Sequence, residues 1–395
     1  MNRDSAADAL PVRIRNKNSS FLDRLEAGEI QKTLEYSRIM QSVPDNARSL
    51  SIAGYLLAQA GQMQASMQAY RQTLRIQEDS PRHWVNYAIS LERLGYYEGA
   101  MESYTRALAL SPSYFKAMYG KSKNLYRLTH YQAALESYEA ALAVRDDAYE
   151  VWYGRGKALA KLNRLEEAAL SFEKSLQLNP QSAKTWASLG QALMHQNKDE
   201  MAISKFDQAI ELSSKRSASG ENAPSPEALS EAALFWTHKG FSHKRLGQYQ
   251  EALSCFDRAI ELNPSAARTW HHRGLTLMNL GQYEEAYDSF ESGLKFQAYD
   301  HKSWLSLGWA LEKMGAYEKA IEAYNKSLTI EPDQSFAFYR QARCYALLQN
   351  QASAMEHLRR AISLQPESYA QRSMSDPILR GVQTRAMVAG ALSSR

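Results

Sequence analysis

An all-α array of antiparallel helix pairs is what this sequence predicts, on three observations. Tryptophans recur at a fixed interval: Trp152 and Trp186 lie 34 residues apart, as do Trp236, Trp270 and Trp304, and Trp84 precedes Trp152 by two intervals. Within each interval apolar residues fall at helical spacing, broken near the middle by Gly61, Gly95, Gly247, Gly281 or Gly315. Finally, 11 Pro and 19 Gly in 395 residues leave too few turn signals for an all-β chain, while good helix formers run throughout. A chain this long exceeds the size at which one core keeps growing, so several domains or a repeat array are expected.

Placing the tryptophans at position 4 of a 34-residue unit starts units at Ala47, Pro81, Phe115, Tyr149 and Ala183, then at Ala233, Ala267, His301 and Ser335. Five units thus cover 47–216 and four cover 233–368. Other columns keep the same phase. Position 8 is small throughout: Gly54, Ala88, Ser122, Gly156, Gly190, Gly240, Gly274, Gly308 and Ala342. Position 20 is Ser66 and then alanine from Ala100 to Ala354. Position 24 is aromatic from Tyr70 to Tyr324, with Leu358 in the last unit. Small residues at 8 and 20 let two helices approach closely, and the aromatic fills the space beside them. Pro112, Pro180, Pro264, Pro332 and Pro366 at position 32 end the second helix, because a proline disfavours helical geometry in the residue before it. One such hairpin cannot bury its apolar face alone, whereas stacked units share a continuous core.

These columns resemble the tetratricopeptide repeat family. Its small, apolar and aromatic positions stand here as Trp186, Leu189, Gly190, Leu193, Ala202, Phe206 and Ala209, and more completely from Ala233 to Ala266. The resemblance spans 306 of the 395 residues. It implies a right-handed superhelical solenoid of antiparallel helix pairs, a non-enzymatic role, and a concave groove lined by positions 2, 5, 6, 9, 12 and 13 of each first helix.

Outside the repeats, residues 1–20 read as a disordered N-terminus. Residues 21–46 read as a degenerate repeat or cap, because Glu29–Pro44 looks like a second helix ending at the same proline. Ser217–Pro226 reads as an exposed loop within an insertion over 217–232, either a tolerated insertion or a hinge between half-arrays. Glu227 onward could extend the following helix. Residues 369–395 read as a capping helix and a frayed tail, since terminal repeats must cover their last apolar face.

Composition excludes several classes. A net charge of +4 on this length does not announce a nucleic-acid or membrane binder. Cys255 and Cys344 lie far apart without metal or redox spacing, which fits a reducing compartment. No segment reaches the roughly 18 apolar residues of a membrane span, and no signal-peptide pattern opens the chain, so a cytoplasmic location is expected. Neither a phosphate loop nor a nucleophile elbow occurs. Glu166–Glu167 and Glu284–Glu285 fall on solvated faces of second helices, and His238, His271 and His272 lack the carboxylate or thiolate a metal site would want. No catalytic residue, metal or cofactor is expected.

The groove positions carry the functional signal. In units two to four they include Arg82, Asn86, Arg93, Lys116, Tyr119, Lys123, Tyr126, Arg127, Tyr153, Lys157 and Lys161, a basic patch interleaved with tyrosines. In units six to eight they include Phe241, His271, Leu275, Leu305 and Trp309, which are mostly apolar and aromatic. Basic residues at position 13 are common in the family, so Lys123 and Lys157 at position 9 are the less expected members. The carboxylate clamp of chaperone-binding relatives is matched at only two of five positions, Asn86 and Lys116, with Ser51, Tyr55 and Gly120 at the others. The asparagine ladder of sugar-transferase relatives is absent from position 6, which includes Ile52, Gly154, Ser188, Ser306 and Arg340. The expected function is therefore a scaffold or adaptor that holds a partner protein or an acidic extended peptide. Single-stranded nucleic-acid binding and a non-catalytic enzyme subunit are the alternatives.

Overall fold

The computed structural model describes residues 46–219 and 224–381. Every regular element among them is helical. They form two compact bodies, which divide between Gln181 and Ser182. The N-terminal segments expected as tail and degenerate repeat, and residues 382–395, lie outside the described residues.

Body one holds four helix pairs: α1 (Ala47–Gln59) with α2 (Met63–Ile76), α3 (Pro81–Arg93) with α4 (Tyr97–Leu110), α5 (Phe115–Arg127) with α6 (Tyr131–Val144), and α7 (Tyr149–Lys161) with α8 (Leu165–Leu178). Body two continues the pattern with α9 (Ala183–His195) and α10 (Asp199–Ser219), α11 (Pro226–Arg245) and α12 (Tyr249–Leu262), and α13 (Ala267–Leu280) and α14 (Tyr283–Phe296). It ends with α15 (His301–Lys313) and α16 (Tyr317–Ile330), α17 (Ser335–Leu347) and α18 (Gln351–Leu364), and α19 (Pro366–Ser375).

The columns of the sequence are the packing code of each pair. The position-24 aromatics Tyr104, Phe172, Phe206, Phe256, Phe290 and Tyr324 are almost wholly buried, each worth about 1.5–3 kcal/mol of transfer free energy. Phe172, Phe206, Phe256, Phe290 and Tyr324 each sit against the glycine at position 8 of their own unit. A Cβ added at Gly190 would lie 2.8 Å from Phe206, and one at Gly308 would lie 2.6 Å from Tyr324. The position-4 tryptophans fasten successive units by a second device. The indole N–H of Trp84, Trp152, Trp270 and Trp304 donates to the carbonyl six residues earlier, in the connecting turn, at 2.7–2.8 Å. The bend inside each pair needs a left-handed residue at position 15. Glycine supplies it in five units, whereas Thr129, Asn163, Asn197 and Gln349 adopt φ of 60–64° without glycine's freedom.

The insertion departs from the expected loop. α10 runs on to Ser219, and α11 starts at Pro226, a residue preset for the first helical position. The Ser225 hydroxyl caps that start by accepting from the Ala228 N–H at 3.2 Å. The extended part of α11 is tied into its surroundings: Asn263 donates to Ser230 at 3.3 Å, and Lys184 pairs with Glu231 at 3.7 Å. α10 and α11 pack directly on each other, so the insertion is not a break between half-arrays. Pro366 also plays a further part, ending α18 and opening α19 as its first residue. α19 covers the last pair with Tyr369 against Tyr339, ring centroids 5.2 Å apart, and the buried Leu379 beyond the helix joins the same apolar cluster.

Candidate functional site

In each body the first helices of successive pairs touch one another, α1 with α3, α3 with α5 and α5 with α7, then α9 with α11 and so on to α17. Successive second helices are not in comparable contact. The first helices therefore converge on the inner side of each stack, and their free faces form one inner surface per body.

On the inner surface of body one, Arg82, Arg93, Lys116, Arg127 and Lys161 are exposed, and Asn86, Tyr119, Lys123, Tyr126, Tyr153 and Lys157 are half-buried. Two of these cations also have internal work. Glu92, at position 12 of α3, is buried, and its carboxylate accepts from Lys123 Nζ at 3.0 Å, from Arg127 Nη1 at 2.6 Å and from the Tyr104 hydroxyl at 3.1 Å. At Lys123 and Arg127 the groove cations are therefore also part of the packing between units. A carboxylate removed from water demands paired charge and hydrogen bonds; the next unit supplies the charges and Tyr104 of the same unit adds a hydrogen bond.

The tyrosines are likewise engaged. Lys123 lies over the Tyr119 ring at 5.6 Å, and Lys157 lies over Tyr126 at 4.5 Å and over Tyr153 at 5.6 Å. Tyr119 contacts Phe115 and Tyr138, Tyr126 contacts Tyr131, and Tyr153 contacts Phe172. Burial pushes the Tyr119 hydroxyl up to about 12, with Glu150 and Glu92 adding to it. The phenols stay neutral and serve as packing groups.

The inner surface of body two is different. Phe241, His271, Leu275, Leu305 and Trp309 are half-buried there. Leu275, Leu305 and Trp309 pack on the core of units seven and eight. Arg340 places its guanidinium over the Trp309 ring at 4.9 Å and is itself held by buried Glu312 at 3.2 Å. Glu312 repeats the Glu92 device. It accepts from Tyr324 at 3.0 Å and from Arg343 at 3.1 Å, and Arg343 also pairs with Asp376 beyond α19. Sequence reading passed over Glu92 and Glu312. Their signal was a glutamate at position 12, found in two of the four units that keep tyrosine, not phenylalanine, at position 24 of the same pair, while the other two hold Ala58 and Tyr126 there.

The histidines turn out to be packing partners. His238 stacks on Phe206 and His272 on Phe256, with centroids 5.8 and 6.0 Å apart and planes within 25°. His271 accepts or donates a hydrogen bond with the Ser303 hydroxyl at 3.0 Å and contacts Phe290. Burial is the main cause that lowers His238 and His271 to about 4 and His272 to about 3. Lys244, which burial lowers too, adds positive potential at His271 and His272. Among the described residues no group of three or more His, Cys, Asp or Glu is placed to hold a metal. Cys255 and Cys344 are buried and free, with burial raising their thiols to about 11 and about 12.

The tetratricopeptide repeat sequence pattern matches residues 53–115 and 119–183, 185–217, 233–266 and 301–334, 255–288, and 336–368. This chain belongs to the tetratricopeptide repeat family. Such repeats are protein-interaction scaffolds, and the chain carries that scaffold in both bodies. Among solved structures it is similar to YrrB, described as a TPR protein with an unusual peptide-binding site, at 22% identity over 53% of this chain and 100% of that one, TM-score 0.43. It is similar to Pseudomonas aeruginosa pilF at 19% identity over 59% and 99%, TM-score 0.48. A tetratricopeptide repeat protein from Parabacteroides merdae gives 17% over 70% and 98%, TM-score 0.49. No curated protein matches the chain. Among the described residues no helix is long and apolar enough to cross a membrane.

Proposed function

We propose that this tetratricopeptide repeat protein is a non-catalytic cytoplasmic scaffold that holds an acidic, extended segment of a partner protein on the inner surface of body one. The supporting observation is the charge of that surface. Its groove positions carry Arg48, Arg82, Arg93, Lys116, Lys123, Arg127, Lys157 and Lys161 against only Glu92 and Glu150. Glu92 is buried beneath Lys123 and Arg127, so what faces outward is predominantly cationic. Such a surface steers acidic ligands and raises their association rate.

Single-stranded nucleic acid would also meet these cations, but it draws much of its affinity from bases stacked on open aromatic faces. Here the tyrosine rings carry lysines or pack on neighbouring rings, so that platform is already occupied. The test is fluorescence anisotropy on the full chain with a polyglutamate-containing peptide and with an unstructured oligonucleotide, over a salt series. The peptide should bind, weaken with salt, and lose affinity on Lys116→Glu with Lys161→Glu. Tighter binding of the oligonucleotide, or no response to the reversal, would overturn the proposal.

A further inference from the structure

Position 9 lies on the inner surface of all four pairs of body one, and its occupant changes character along the stack. In α1 and α3 it is Tyr55 and Ile89, large apolar side chains that are 47% and 37% exposed. In α5 and α7 it is Lys123 and Lys157. α1 and α3 touch, so Tyr55 and Ile89 stand on neighbouring helices of the same surface. Exposed Lys116 lies on α5 and exposed Lys161 on α7. One lattice site thus offers two open apolar contacts followed by two cationic ones. Leaving large apolar groups half in water at adjacent inner positions is unfavourable unless something covers them.

We infer that the bound acidic segment is bipartite: bulky apolar side chains cover Tyr55 and Ile89, and a run of carboxylates continues over α5 and α7. This rests on the reading that body one binds an acidic segment, and it adds a register that the charge alone does not give. Apolar anchors then supply most of the affinity, because exposed ion pairs contribute little each. The carboxylates set on-rate and direction. The segment can be internal, since recognition uses side chains and requires no chain terminus.

The test uses the full-length chain and two fluorescein-labelled peptides with amidated C-termini. One carries Leu-Phe ahead of a glutamate run, and the other has both apolar residues replaced by alanine. Anisotropy titrations are made with the native chain, with Tyr55→Ala plus Ile89→Ala, and with Lys116→Ala plus Lys161→Ala. Thermal melts confirm that each variant is folded.

The native chain should prefer the Leu-Phe peptide by about tenfold, equivalent to 1.4 kcal/mol. The Tyr55/Ile89 variant should lose that preference and still bind the alanine peptide as the native chain does. The Lys116/Lys161 variant should weaken both peptides alike. Equal affinity of the two peptides for the native chain, or a preference that survives removal of Tyr55 and Ile89, would overturn the bipartite register while leaving acidic binding intact. Failure of both peptides to bind, or indifference to the lysine substitutions, would instead overturn the underlying reading.

Discussion

Lys123→Glu separates a binding cation from a structural one. Lys123 Nζ lies 3.0 Å from Glu92 Oε1, and the Glu92 side chain is only 8% exposed. The reversal removes one of three groups that satisfy this carboxylate and sets a second carboxylate near it. Breaking a buried pair typically costs about 3–5 kcal/mol. Two features reduce that figure. Arg127 still donates at 2.6 Å and Tyr104 at 3.1 Å, and the Lys123 side chain is itself 36% exposed, so solvent screens its share. A loss of about 2 kcal/mol is expected, against about 0.5 kcal/mol or less for Lys161→Glu on the same inner surface. Urea unfolding followed by circular dichroism measures both, with the slope reported beside the midpoint because two bodies need not unfold as one transition. Glu92→Gln keeps an acceptor for Tyr104 and removes the charge, so in the Lys123→Glu background it should recover part of the loss, a coupling of about 1 kcal/mol. Equal midpoints for Lys123→Glu and Lys161→Glu would refute the assignment of Lys123 to Glu92.

Thr129→Gly should stabilise the chain by up to about 1 kcal/mol in the same assay, because a β-branched residue holds φ of 64° where four of its five glycine counterparts have φ of 75–79°; a lower midpoint would show that the threonine side chain contributes more than the strain removes. Gly190→Leu should destabilise by at least about 1–3 kcal/mol, since even its Cβ would lie 2.8 Å from buried Phe206, and an unchanged melting temperature would put the repeat phase in error. Acid should weaken body two: the unfolded histidines titrate near 6.5 and His238, His271 and His272 near 4, 4 and 3 in the fold, so below about pH 6.5 the unfolded chain binds more protons and stability falls until about pH 3–4. His272→Phe keeps a ring on Phe256 and removes the buried Nδ1 that lacks a partner, so it should flatten that pH dependence; an unaltered profile would locate the acid sensitivity elsewhere.

Much of the fold was legible because its packing rules repeat at a fixed interval. Tryptophan at 4, a small residue at 8, alanine at 20 and an aromatic at 24 are demanded by contacts inside one pair or across one turn. A single pass along the chain therefore exposes them. Glu227 onward extends the following helix, as the sequence suggested, but the ends of the expected loop over Ser217–Pro226 were misread because Ser-Ala-Ser-Gly and Pro-Ser-Pro are turn chemistry in isolation. In the structure the serines extend α10, and Ser225 with Pro226 begins α11, the start signal of a helix mistaken for a loop. The site was harder to read because its residues answer to neighbours in the next unit. Lys123 resembles a free groove cation until Glu92, 31 residues earlier, is found beneath it.

The same cross-unit rule accounts for residues in the position-6 column, where sequence reading had noted only that no asparagine ladder runs. The aromatic at position 24 of one unit reaches the first helix of the next, and position 6 there must suit it. A Cβ at Gly154 would lie 2.5 Å from Tyr138, so that unit keeps glycine. His238 and His272 instead lay their rings on Phe206 and Phe256. Arg340 follows Tyr324, whose hydroxyl and the Arg340 guanidinium both bind Glu312. Position 6 is therefore fixed by the preceding unit's aromatic and contributes little choice to partner recognition. Position 9 is held by packing where a glutamate stands at position 12 of the preceding unit, as beneath Lys123 and Arg343, and also where it covers a ring or the core, as Lys157, Leu275 and Trp309 do. At Tyr55 and Ile89 the residue is exposed, so packing constrains its identity least there.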